Sequence, residues 1–167
     1  MAKKLLSNGA VVYDNWHVLD DSVEIDKASD IPAGKVIVSL NHWRNHHAAL
    51  LTRGTEKLGL LLQPDQSPRL VAGELPQVSV VAINFPVFTD GRGYSYAREL
   101  REQLRFEGEI RAVGDVLIDQ LYAMRRCGFD AFVLRKEEDI EDANSYLSTF
   151  TFPYQGAVDD PRPLWHR

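Results

Sequence analysis

Between Lys35 and Leu134, short, largely apolar runs recur at intervals of roughly 20 to 30 residues, the length of one βα unit, and this rhythm narrows the possible folds more than any other feature of the chain. The runs cover residues 36–40, 58–62, 78–85, 110–113 and 131–134. They are largely apolar along their length rather than at alternate positions, as in strands covered on both faces. Helical patterns fall between them at residues 43–53, 94–105 and 115–127, with another at 140–149; residues 64–75 predict only a turn or short helix. Alternation of this kind predicts an α/β fold of five mainly parallel strands joined by crossover helices. Five units are too few for a closed barrel of about 250 residues. Two architectures remain, a partial βα-barrel or an open twisted sheet, and the recurrence of Arg, Asp and Gly just after several strands inclines the reading to the first.

Ahead of this body, residues 10–13 and 16–19 flank Asp14-Asn15 and predict an N-terminal β-hairpin. Residues 20–33 are acidic, lead out through Ile31-Pro32-Ala33-Gly34 and read as a surface connection. Residues 1–152 form one expected α/β domain; 153–167, with three prolines and Trp165, form a tail that is either loose or strapped over the body or another subunit. A chain of 167 residues, 44% hydrophobic, is long enough to bury a substantial core. Its single cysteine, Cys127, rules out an internal disulfide and a thiolate-held cluster and fits a reducing cytoplasm. No apolar run matches a signal-peptide core or a membrane span, so a soluble cytoplasmic protein without membrane attachment is expected. A net charge of -5 argues against a general nucleic-acid binder.

The chemistry-bearing residues crowd into the joints after the strands. Asp90-Gly91-Arg92-Gly93 follows the longest run and precedes a helix, so its amides suit an oxyanion and Arg92 would add charge. It lacks the third glycine of a dinucleotide fingerprint and the Gly-Lys-Ser/Thr of a P-loop, and a plain strand-to-helix turn is the competing reading. Arg111 and Asp115 bracket the end of the next strand. Asp115, Asp119, Tyr122 and Arg126 share a face if the helix starts at Asp115. Asp90, Gly91, Arg92, Gly93, Arg111, Asp115 and Asp119 are therefore the candidate ligand-binding residues, for a small anion at the C-terminal edge of the sheet. Against this stand Asp115 as a helix cap and Asp119 as an ion-pair partner. Eight arginines, eight acids and no lysine lie between Phe85 and Arg135, a balance that also suits internal ion pairing. His42, His46 and His47 cluster, but no third metal ligand accompanies them and no metal site is expected. Cys127 stands between two arginines and Gly128, a setting that would lower its pKa, although a buried helix-end thiol is the commoner case. No catalytic residue or cofactor can be named from these patterns, and unpaired strand edges make a homo-oligomer one expected outcome.

The stretches F-P-V-F-T-D-G-R-G-Y-S-Y-A-R-E-L-R, G-E-I-R-A-V-G-D-V-L-I-D-Q-L and R-R-C-G-F-D-A-F between Phe85 and Phe132 resemble an uncharacterised bacterial family. That family is a domain of unknown function, often described as an oxidoreductase of sulfite reduction. Echoes extend to Trp16, Trp43, Leu58-Gly59 and Tyr154-Gln155. The resemblance implies a setting in sulfur assimilation, beside the haem-containing assimilatory sulfite reductase. The residues carry no redox pair and no flavin or nicotinamide fingerprint, so the expected role is an accessory protein whose partner is the reductase or its electron donor. The alternative is a small enzyme or sensor for an anionic metabolite held by Asp90, Arg92, Arg111 and Asp115.

Overall fold

A computed structural model describes residues 4–135 and 140–166. Its strands are β1 (Lys4–Ser7), β2 (Ala10–Tyr13), β3 (Trp16–Leu19), β4 (Lys35–Ser39), β5 (Leu58–Leu62), β6 (Val80–Phe85), β7 (Glu109–Gly114) and β8 (Ala131–Phe132). The helices are α1 (Leu40–Leu51), α2 (Arg92–Glu102), α3 (Leu121–Cys127) and α4 (Ala143–Leu147), with short 3-10 turns between. All strands join one sheet in the order β2-β1-β8-β7-β6-β5-β4-β3. From β3 to β8 neighbours are parallel and follow chain order, while β1 runs antiparallel to β8 and β2.

The α/β class and its parallel core are as expected, with one strand more in the parallel set. The hairpin expected across residues 10–19 does not form. Residues 10–13 pair instead with residues 4–7 around Asn8-Gly9, and residues 16–19 pair in parallel with β4 at the far edge of the sheet. The physical reason lies in the turns. Asn8 and Gly9 have φ of 49° and 80°, the left-handed pair that a two-residue hairpin needs. Asp14 instead accepts the Trp16 amide at 3.1 Å and starts a new strand.

Parallel strands in chain order with right-handed crossovers put every helix on one side. Period-two alternation records this. Val36, Val38, Leu58, Leu60, Leu62, Val81, Ile83, Phe85, Ile110, Ala112 and Phe132 share one core with Trp43 and Leu50 of α1, Leu100 of α2, Met124 of α3 and Leu147 of α4. The intervening residues Ile37, Leu61, Val80 and Ala82 cluster with Trp16 on the opposite face, where Leu5, Ala131 and Val133 also meet. That face is concave. Although β2 and β3 are opposite edges of the sheet, only Asp14-Asn15 separates them, so Tyr13 and Trp16 are at most about 11 Å apart. The sheet thus curls into an open half-barrel.

Residues 114–117 turn the chain off β7, a 3-10 turn covers Ile118–Gln120, and α3 starts only at Leu121. Asp115 consequently does not cap α3, and the expected face of Asp115, Asp119, Tyr122 and Arg126 is not helical throughout. The far end is as expected: Gly128 is left-handed, with φ of 111°. The C-terminal tail straps the body. Val158 donates to the Arg126 carbonyl at 3.1 Å, the Arg126 guanidinium meets Asp159 at 2.8 Å, and Tyr154 packs on Trp165 with ring centroids 5.4 Å apart. No helix among the described residues is long and apolar enough to cross a membrane.

Candidate functional site

The concave face changes character along the strands. Its middle layer is apolar, with Ile37, Leu61 and Ala82. At the C-terminal strand ends the same inward positions become polar: Gln63 lies two residues after Leu61, and Asn84 two after Ala82. A cleft of about 300 Å³ opens there, lined by Asp14, Asp20, Gln63, Asn84, Arg111 and Val113 among others. The Asn84 amide donates to Gln63 Oε1 at 2.8 Å, so the two carboxamides act as one hydrogen-bonding unit. This is where ligands settle in parallel α/β sheets.

Arg111 forms the floor. It is 2% exposed and crosses the hollow of the sheet, with Nη1 donating to Asp14 Oδ1 at 2.9 Å and Nε to Glu109 Oε1 at 2.7 Å. Its guanidinium also lies 5.8 Å from the Trp16 ring centroid. The Asp14 side chain is 4% exposed and that of Glu109 25%. Two carboxylates thus answer one cation. Arg111 ties the middle of the sheet to the link between its edges, and its charge is already neutralised.

The other expected residues lie elsewhere. Asp90 and Arg92 pair with each other, Nε to Oδ1 at 3.0 Å and Nη2 to Oδ2 at 2.7 Å, and the Arg92 amide donates to Asp90 as well. These hydrogen bonds from Arg92 hold the Asp90 carboxyl below its usual range, and the pairing raises the Arg92 guanidinium. Gly91 faces open space, whereas Gly93 is a packing glycine: a Cβ there would sit 2.5 Å from Phe85 Cζ. Asp115 accepts from the Phe88 amide at 3.0 Å and meets Arg135 at 3.4 Å, which ties it to the same loop as Asp90. Asp119 is exposed. The structure therefore joins Asp90, Arg92 and Asp115 along one outer loop and sets Arg111 apart on the concave side.

Residues 59–165, well over half of the chain, match the family described as "Bacterial protein of unknown function (DUF934)". The chain belongs to that family. No curated protein matches it. The DUF934 segment runs from β5 through the C-terminal strap and contains Gln63, Asn84 and all seven expected site residues, while Asp14 and Asp20 precede it.

The histidines serve the packing of α1. His42 Nε2 lies 2.9 Å from the Asp20 carbonyl, His46 Nε2 is 3.1 Å from the Ile25 carbonyl, and His47 Nε2 is 3.0 Å from Gln77 Oε1. The first two hold the acidic connection against α1, and His47 ties α1 to the turn before β6. No group of three or more His, Cys, Asp or Glu with metal-binding geometry occurs among the described residues.

The lowered pKa considered for Cys127 is not what the fold produces. Burial pushes the thiol up, and nearby Arg98 and Arg126 offset this only in part. The folded chain therefore keeps a proton that the unfolded chain releases first. Any stability gained from burying the neutral thiol is complete at neutral pH and declines as pH rises from the unfolded pKa to the folded one. Iodoacetamide alkylation followed against pH should reach half its maximal rate at a higher pH for native protein than for urea-unfolded protein. Coincident profiles would contradict the raised pKa.

Proposed function

We propose that this DUF934 chain is an accessory protein of assimilatory sulfite reduction that docks onto the reductase or its electron donor. The observation that carries the reading is the surface at residues 150–165. Phe150, Phe152, Tyr154 and Trp165 are 61%, 68%, 66% and 64% exposed, four large rings within a short segment. Aromatic groups left in water at this density favour a protein contact, because burying them supplies much of an interface's energy. The resemblance over residues 85–132 supports the setting. The residue inventory favours assistance over electron transfer, since the lone thiol is half-buried and offers neither a redox pair nor a cluster.

The anion-enzyme reading finds less support. Arg92 is engaged bidentately by Asp90, and Arg111 by two carboxylates, so an incoming anion would have to displace a built-in one at either place.

The test is a binding measurement between the purified chain and sulfite reductase or its flavoprotein donor, repeated with Phe152→Ser/Trp165→Ser. A complex weakened at least about tenfold by the double variant is expected, as for loss of interface anchors. Absence of any complex with either protein, with intact folding, would reject the reading.

A further inference from the structure

We propose a second site, a hollow at the start of β8 on the helix side of the sheet, which takes a small amphiphilic monoanion. It encloses about 640 Å³, twice the volume of the concave cleft and within the range of metabolite pockets. Its apolar lining comes from Phe129, Phe132, Leu147 and Val158, and its polar rim includes Arg125 and Asn144. The first three of these apolar residues belong to the main core, so the floor is rigid, while Val158 comes from the C-terminal strap.

The charges around this hollow select the ligand. Both carboxylates on its wall are already engaged. Asp130 accepts from the Arg101 guanidinium and, at 2.9 Å, from the Ile110 amide; Asp159 meets Arg126 at 2.8 Å. Arg101 is saturated in turn, donating also to the carbonyls of Phe106, Gly108 and Gly128. Arg125 differs from its neighbours. Among the described residues its only hydrogen bond is a long one, 3.4 Å, to the Leu147 carbonyl, and none of their carboxylates lies within ion-pair distance of it. One guanidinium with no carboxylate partner among those residues therefore stands at the edge of an apolar floor. A planar fork of this kind suits a carboxylate or sulfonate head, and the floor suits a hydrocarbon body. An inorganic anion would use the fork and forgo the floor; an alcohol would do the reverse.

The proposal is independent of the docking surface and is tested on the full chain with hexanoate as the probe, against 1-hexanol and inorganic sulfate. Calorimetry should show hexanoate binding more tightly than either control. Arg125→Gln should weaken it at least about tenfold, the effect of losing a charge-assisted hydrogen bond. Val158→Trp, which fills the hollow and leaves Arg125 in place, should abolish it. Arg125 is exposed, so its variant is expected to fold, and an unchanged melting temperature checks this. Amide shifts on hexanoate addition should centre on Gly9, Gly128 and Ser148. Hexanoate binding that survives Arg125→Gln, sulfate binding as tightly as hexanoate, shifts centred elsewhere, or no hexanoate binding at all would each overturn the proposal.

Discussion

Arg111→Ala should lower the free energy of unfolding by about 3–5 kcal/mol, because it leaves the Asp14 carboxylate buried without its cation. The loss has two parts. The guanidinium fills the hollow of the curled sheet, so its removal opens a void beside Trp16; it also neutralises two carboxylates at once. A double variant separates them. Arg111→Met with Asp14→Leu replaces the buried pair by apolar groups, and buried pairs exchanged in this way are often neutral or better. Urea unfolding should therefore find the double variant far closer to wild type than Arg111→Ala. If Arg111→Ala alone costs under about 1 kcal/mol, the pair does not hold the sheet edges together.

Phe85→Ala is the other change with a large expected cost, about 3–5 kcal/mol for an aromatic ring removed from a packed core. Phe85 has no exposed surface, and its ring lies 5.7 Å from that of Tyr94 and 5.9 Å from that of Phe129. It therefore joins β6, α2 and the start of β8. Gly93 belongs to the same contact, since the ring occupies the place a Cβ would take. A reciprocal pair of variants follows from that fit. Gly93→Ala should destabilise, and Phe85→Leu in the same chain should return part of the loss by drawing the side chain back from the new methyl. Thermal unfolding of the single and double variants measures this coupling directly, and strict additivity would contradict the contact.

The parallel core was legible because strands buried on both faces are largely apolar along their length, as β4, β5 and β6 are, and polar groups such as Asn84 and Arg111 interrupt the pattern where the cleft lies. β3 was legible as a strand but not in its pairing. Trp16–Leu19 belongs beside Lys35–Ser39, and nothing local in W-H-V-L says so. Asn8-Gly9 was the stronger hairpin signal, set a few residues upstream of the Asp14-Asn15 that suggested one. Asp115 misled for a similar reason. An acidic residue between a strand and a helix reads as a cap, but the chain needs residues 114–120 to turn, and the carboxylate serves the Phe88 amide instead.

The candidate cleft was partly legible. Alternation alone assigns Gln63 and Asn84 to the face of Leu61 and Ala82, so polar groups at the last inward positions of two adjacent strands were a usable signal. Arg111 stood out by its place in a strand. Its partner Asp14 did not, because 97 residues separate them and only the curling of the sheet brings them together.

That curling also orders events in time. Lys4–Ser7 is made well over a hundred residues before its partner across the sheet, Ala131–Phe132. A nascent chain ending anywhere before residue 131 leaves the leading hairpin with one side unpaired and an apolar edge exposed. Pairings this distant must also overcome a large loop-closure entropy before they contribute anything. Completion of the sheet thus waits for synthesis of β8, and until then Leu5 and Leu6 lack the neighbours that bury them.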